Sequence, residues 1–304
     1  MSVDIRQFQY FLAVVDTGSV HRAAEQMYVA QPSVSQSLRR LERELGCELF
    51  QRVGRKLVLN ASGHALIEPA RELVRSLDFA KATVEAVDGL QGGRLLIASM
   101  PSQAVSPLAA LISRFLDLYP GVEVGVVTAT RPDDVCDALR RGAAELGLVA
   151  VPNGPLRESG FRVEPVEIQS YLIVARSPED LPAGGGALTY QDLQGLRLVV
   201  GQPGTGMRRA ADAILEATDC KIAVEIEQRE ALMPLVLAGA GVAVVAESWR
   251  TLAESAGLAV RELITDEFLH VGLAIPTSRM SPAAAAFRDI ARQHASARQP
   301  VSHC

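Results

Sequence analysis

Residues 23–50 read AAEQMYVAQPSVSQSLRRLERELGCELF, and their periodicity decides how the first part of the chain folds. Pro32 stands where the first turn of a helix tolerates a missing N–H, and Gly46 stands where a helix can stop, so a helix is predicted from about Pro32 to Leu45. Val34, Leu38, Leu41 and Leu45 follow steps of four, three and four and define one apolar face. At about 100° per residue, Pro32, Gln36, Arg39 and Arg43 point the other way, flanked by Ser33, Ser35 and Arg40.

Upstream, Asp4 to Asp16 is predicted helical, with Phe8, Phe11, Leu12 and Val15 on one face and Gly18 as its end. Ser19 can cap a second, short helix through Ala23 and Ala24 to about Met27. Two helices joined by a tight turn, the second with a polar outer face, make a helix-turn-helix, whose second helix enters the DNA major groove. A solvated face explains most Arg/Gln stripes. Here, however, Phe50–Arg52, Val53-Gly54-Arg55-Lys56 and Leu57–Leu59 follow as a predicted hairpin with three basic residues around its tip, as a phosphate-gripping wing requires. The expected base readers are Gln31, Pro32, Ser35 and Gln36; the expected phosphate contacts are Arg22, Ser33, Arg39, Arg52, Arg55 and Lys56.

The words FQYFLAVVDTGSVHRAAEQM, VAQPSVSQSLRRLERELGCELFQR and GRKLVLNASG, all within residues 4–67, resemble the N-terminal domain of LysR-type transcriptional regulators. Three positions depart from that pattern. Ala30 stands where the family often has a capping Ser, Gln36 where Arg is common, and Asn60 where Thr is usual. Gln36 bears on specificity, because Gln pairs bidentately with adenine whereas Arg favours guanine. The resemblance implies a linker helix that pairs two subunits, a tetramer of paired dimers that bends DNA, and an effector domain.

Leu66, Ala70, Leu73, Leu77, Ala80, Val84 and Val87 repeat as an a/d seam, expected to pack against a second copy and so to require an interrupted inverted repeat in double-stranded DNA. Asn60 or Ser62 caps this helix, and Pro69 is expected to kink it or mark its beginning. Beyond Gln91-Gly92-Gly93, strands and helices alternate. Strands are predicted at 95–100, 122–128 and 146–151, with helices at 105–118 and 132–141; the order recurs with strands at 196–201, 222–227 and 242–245 and helices at 206–217 and 231–238. Two parallel, doubly wound halves are expected. Segments 163–168, 171–175 and 270–275 are extended candidates that cross between them, and 283–294 is a closing helix.

The fold class is therefore an N-terminal all-α winged helix-turn-helix (1–60) with a long linker helix (61–90), then an α/β effector domain of two subdomains (91–304) similar to periplasmic binding proteins. Subdomain I is expected at about 91–165 and 268–304, subdomain II at about 166–267. The cleft-facing residues beyond the strand ends are Ser99, Ser102, Gln103, Thr128, Thr130, Ala150, Gln202, Thr205 and Gln228. These hydroxyls, amides and helix-start N–H groups suit a small anionic metabolite without any full positive charge, and Ser99 and Thr128 are the positions the resemblance picks. Ser99, Ser102 and Thr205 read equally well as helix caps.

Composition narrows the alternatives. The 304 residues, 48% hydrophobic and 21% charged, suit about two globular domains, and no apolar run reaches the ~20 residues of a membrane span. No signal peptide is evident, so the cytoplasm is the expected location. Net charge is −5, yet residues 1–60 hold eight basic against six acidic side chains. Cys47, Cys136, Cys220 and Cys304 lie more than eighty residues apart, and no Cys or His pair has zinc-ligand spacing, so neither metal nor cofactor is expected. The turn Gly201-Gln-Pro-Gly204-Thr-Gly206 lacks the Lys-Ser/Thr ending of a P-loop, no Gly-x-Ser-x-Gly occurs, and Asp133, Asp134 and Asp137 fit a helix N-terminus better than acid/base work. A ligand-responsive DNA-binding regulator, with RNA polymerase as a further possible partner, is therefore expected. Its rivals are a cytosolic enzyme on a two-lobed fold with an accessory helical domain and a ligand-independent architectural DNA binder.

Overall fold

The computed structural model describes residues 3–54, 56–85, 90–152, 154, 160–277 and 279–298. Arg55 and Val87 lie outside the described residues, as does the side chain of Lys56. The chain divides into two units, Met1–Val84 and Glu85–Cys304.

In the first unit, α1 (Ile5–Thr17) starts at an Asp4 cap and ends at Gly18 in the left-handed conformation. Next come α2 (Val20–Gln26), capped by Ser19, and α3 (Gln31–Leu45), which begins without a side-chain cap at Ala30 and ends at left-handed Gly46. Phe11, Ala23, Val34 and Leu41 meet at full burial between the three helices. Leu45 departs from its expected place on this face: 39% exposed, it sits one residue before the stop, beyond the reach of α1. A polar chain closes the bundle, in which Gln7 Oε1 accepts from Asp4 N at 2.7 Å and Gln7 Nε2 donates to Glu44 Oε2 at 3.0 Å. That amide is the main reason the Glu44 carboxyl is held below its ordinary range.

The hairpin β1 (Phe50–Val53) and β2 (Lys56–Leu59) pairs in register Val53↔Lys56, with Gly54 at φ +63° in its turn. The helix α4 (Ala61–Glu85) follows at once. Asn60 makes four bonds: its Oδ1 accepts from Gly63 N at 2.9 Å and its O from His64 N at 2.9 Å, its Nδ2 donates to Glu48 O at 2.8 Å, and its N donates to Leu49 O at 3.0 Å. Pro69 lies inside α4 and does not begin it; the ladder bond it removes would have gone to the carbonyl of exposed Ala65, which water can reach. Arg71 Nη2 to Asp16 Oδ1, 2.8 Å, fastens α4 to the end of α1.

The second unit holds two mixed sheets. The first, in order β4-β3-β5-β12-β6, joins β3 (Arg94–Ser99), β4 (Glu123–Thr128), β5 (Leu146–Pro152), β6 (Phe161–Gln169) and β12 (Leu269–Pro276). Around it lie the single turn α5 (Pro101–Gln103), α6 (Ala109–Leu118), α7 (Pro132–Arg140) and α11 (Pro282–Arg298). The second sheet has β10-β7-β11, from β7 (Tyr171–Ala175), β10 (Ala243–Ala246) and β11 (Ala259–Leu263). A Leu198↔Val242 bridge extends it to β8 (Arg197–Gly201) and β9 (Lys221–Ile226), with α8 (Gly206–Ala217), α9 (Leu232–Leu237) and α10 (Arg250–Ser255) alongside.

Both halves were expected to be parallel, and both are mixed. β3, β4 and β5 run parallel, but β12 enters the first sheet after its crossing and pairs antiparallel with β5 and β6. β7 does the same against β10 and β11. The first crossing falls at Ser170, since β6 continues to Gln169, four residues past the expected boundary. The helix expected at 105–118 is regular only from Ala109. Ser106 is extended ahead of Pro107, because a residue before proline avoids the helical region. No helix among the described residues is long and apolar enough to cross a membrane.

A methyl group on Gly63 would collide with the Leu49 carbonyl oxygen and the Leu59 side chain. Gly63→Ala is therefore expected to destabilise the first unit by about 1–3 kcal/mol. Urea unfolding followed by circular dichroism should show an earlier helical transition, while fluorescence of Trp249, in the second unit, keeps its midpoint.

Candidate functional sites

The outer face of α3 is open. Gln31, Pro32, Ser33, Gln36 and Arg39 are exposed and Ser35 is half-buried, opposite buried Val34, Leu38 and Leu41. Arg40 is engaged by Glu44 at 3.1 Å, and Arg43 Nε donates to Arg39 O at 3.3 Å. Arg22, Arg39 and Arg52 are exposed and, among the described residues, are in no ion pair, so their guanidinium groups remain available to an external anion. Tyr28 occupies the turn between α2 and α3 with φ +54° and is 95% exposed.

Sequence reasoning missed what aims the wing. Glu42 Oε1 accepts from Leu49 N at 2.9 Å and from Phe50 N at 3.4 Å, so a carboxylate on α3 receives the amides where β1 begins. Phe50 also packs edge-on against Phe11, with ring centroids 5.7 Å apart. A lone Glu on a helix rich in Arg and Glu reads as a solvated acid, and nothing local distinguishes it.

On α4, Leu66 and Ala70 pack into the core of their own unit together with Ile67 and Val74. Leu77 is half-buried and Ala80 exposed, while Leu73 and Val84 are 47% and 72% exposed. Among the described residues, the exposed part of this apolar row thus starts at Leu73.

The structure brings several cleft residues together. Ser99 and Thr128 sit side by side at the ends of β3 and β4; Ser99 is buried and its hydroxyl donates to Met100 O, while Thr128 is exposed. Thr205 caps α8, accepting from Arg208 N at 3.3 Å. Gln202 is half-buried and Gln228 exposed. Thr130 is less free than expected, because the amides of Thr130 and Arg131 both donate to Asp134 Oδ2, at 3.1 and 2.9 Å. Ala150 lies within the β5–β12 ladder and packs in the core.

Contrary to expectation, a full positive charge does stand in the cleft. Arg229 is buried and its Nη1 donates to Ser102 Oγ at 2.7 Å across the two subdomains. Ser102 is thus no helix cap. Burial pushes the Arg229 guanidinium below its ordinary range. Arg229 directly follows Gln228, but an arginine after a strand reads as a surface charge, and only the folded cleft hides it.

Comparison with known proteins identifies the two parts of the chain. The bacterial regulatory helix-turn-helix family of lysR type matches residues 5–64, and the LysR substrate binding domain matches residues 88–296. This chain belongs to the LysR family. It is accordingly a transcriptional regulator with a DNA-binding and an effector-binding domain, and its relatives are regulators, not enzymes. The HTH-type transcriptional regulator IlvR of Caulobacter vibrioides is 31% identical over 276 residues, covering 89% of this chain and 91% of that protein. The RuBisCO operon transcriptional regulator of Allochromatium vinosum is 28% identical over 302 residues, 95% of each chain. A full-length OxyR variant from Pseudomonas aeruginosa has the same fold, with a TM-score of 0.70 at 20% identity, covering 97% of this chain and 95% of that one. Full-length CbnR, solved in complex with its target DNA, aligns with a TM-score of 0.64 at 23% identity over 96% and 100%.

For this LysR-type chain, Glu42→Ala leaves two amides without their acceptor and is expected to cost about 1–3 kcal/mol of stability. Glu42→Gln keeps one acceptor oxygen and should lose less, and urea unfolding of the two variants side by side checks the order.

Proposed function

We propose that the chain reads an interrupted inverted repeat of double-stranded DNA through α3 and the wing, as a homotetramer of paired dimers in the cytoplasm. A small anionic metabolite bound between subdomains I and II switches its action on transcription, with RNA polymerase as a partner in that step. The observation that carries the DNA part is the division of α3 into a buried Val34, Leu38, Leu41 face and an exposed Gln36, Arg39 face, with the exposed guanidinium groups of Arg22 and Arg52 also in no ion pair among the described residues. In this reading Gln31, Pro32, Ser35 and Gln36 meet base edges, and Arg22, Ser33, Arg39, Arg52, Arg55 and Lys56 hold phosphates. Pairing through Leu73, Leu77, Ala80 and Val84 supplies the second reading head, and exposure of Leu73 and Val84 supports it. A ligand alters transcription only by favouring one quaternary state, so the metabolite must change DNA bending as well as bind.

Selection from random duplexes supplies the operator for the test. Gln36→Ala is expected to cost about 1–3 kcal/mol on the selected site and to relax preference at one base pair, whereas Arg39→Ala should weaken all sequences alike and flatten the salt slope by about one unit. Unchanged affinity and preference in Gln36→Ala would mean that this helix is not oriented as proposed.

Assembly is tested separately. Leu73 is 47% exposed in the single chain, so the monomer fold should survive Leu73→Asp, and light scattering should show a smaller particle with weakened binding to the full repeat. Wild-type mass and full affinity would remove α4 from the interface.

A further inference from the structure

Among the described residues, two that are not glycine take a positive φ, Leu90 at +34° and Tyr28 at +54°. A bulky side chain is strained in that region, and such strain persists only where something repays it. For Leu90 the repayment is visible, since its side chain packs against the core of the second unit. For Tyr28 it is not. The ring is 95% exposed and its hydroxyl is in no hydrogen bond among the described residues, whereas Tyr10, Tyr119, Tyr171 and Tyr190 are all buried or half-buried.

The backbone accounts for the conformation of Tyr28 and not for its side chain. Val29 N donates to Ala24 O at 3.0 Å and Tyr28 N to Glu25 O at 3.1 Å, so Tyr28 is the left-handed residue that closes α2, a place that ordinarily falls to glycine or asparagine. Met27 and Val29 on either side pack against the core of the first unit, and the ring between them is left outside. Three trans steps further on stands Gln31, at most about 11 Å away from Cα to Cα. There α3 starts at Ala30 without a side-chain cap, and Gln31, Pro32 and Ser33 are exposed. An aromatic side chain that strains its turn and packs on nothing in the chain has its use outside it, and the surface beside it is the one assigned above to DNA.

We infer that Tyr28 is a further DNA contact, its hydroxyl donating to a backbone phosphate beside the start of α3 and its ring lying against the adjoining sugar. The inference rests on the reading of α3 as the recognition helix and adds a residue that holds the duplex where that helix enters it. Tyrosine is among the side chains that serve phosphate oxygens, and contacts of this kind fix orientation without reading sequence. A phenol also differs from the arginines in a way that can be measured. A guanidinium group at a phosphate releases a counterion, whereas a neutral hydroxyl releases none, so its share of the affinity does not fall with salt. Stability and binding are therefore opposed at position 28, because a substitution that relaxes the turn removes the contact.

The experiment titrates the full chain with its selected operator and with a scrambled duplex at several salt concentrations. Tyr28→Phe is expected to weaken binding to both by about two- to tenfold with the salt slope unchanged, where Arg39→Ala flattens it. Replacing one operator phosphate at a time by a neutral methylphosphonate should find a position that costs the wild type about two- to tenfold and costs Tyr28→Phe nothing further. Tyr28→Asn, which suits the left-handed turn, should bind more weakly still and yet raise the thermal midpoint of the first unit's helical transition by about 2–5 °C. Wild-type affinity in Tyr28→Phe and Tyr28→Asn beside a weakened Arg39→Ala would overturn the inference and leave the reading of α3 standing. A phosphate scan identical in wild type and Tyr28→Phe would overturn it too. So would a loss confined to one base pair, which makes Tyr28 a base reader, a smaller particle in light scattering, which makes it a contact between subunits, or a lowered midpoint in Tyr28→Asn, which makes the ring part of the fold. Full affinity in Arg39→Ala and Gln36→Ala as well would remove the reading of α3 itself.

Discussion

The first unit depends on one close approach. The start of α4 lies so near the backbone at Leu49 that only a glycine fits at position 63, and Asn60 seals the contact by bonding in three directions. Glu42 reaches the same short segment from α3. Recognition helix, wing and linker helix therefore share residues 48–50 as a common anchor. None of the three can shift without breaking hydrogen bonds that belong to the other two. A threonine at position 60 could cap α4, but it has no amide with which to hold the Glu48 carbonyl at the same time.

The second unit obeys a different constraint. Its sheets are built alike, three strands in parallel and then one that arrives from the other half and runs against them. The first passage from sheet to sheet takes a single residue, Ser170, whose carbonyl accepts from Glu247 N and whose hydroxyl meets the Glu247 side chain. Such a short passage permits rotation more readily than separation. Arg229 and Ser102 meet across that passage, so charge there acts at the junction of the two sheets.

Much of this was legible from spacing alone. Steps of three and four marked the buried faces of α1 and α3, and Gly18, Ser19, Pro32 and Gly46 stand at the helix boundaries where local geometry requires them. These are short-range effects, and a sequence displays them directly. What stayed hidden depends on contacts distant in the chain. The link from Gln7 to Glu44, the reception of the Leu49 amide by Glu42, and the pairing of Ser102 with Arg229 span 37, 7 and 127 residues. Residues 250–263, which form α10 and β11, went unread because their apolar positions follow neither the helix nor the strand period for long. The sense of β7 and β12 was hidden for the same reason, as direction within a sheet follows from the path of the whole chain.

The anchor at Asn60 has a mechanical consequence. With 25 residues at 1.5 Å each, α4 is a rod of about 37 Å clamped at one end to the surface that meets DNA. A tilt of about 5° at the clamp carries the far end through about 3 Å, and the converse holds as well, so displacement applied far away returns to the wing as a small, well-defined angle. A clamp without slack turns the helix into a lever arm, and gearing of this kind passes a modest rearrangement at its far end to α3 and the wing without loosening either.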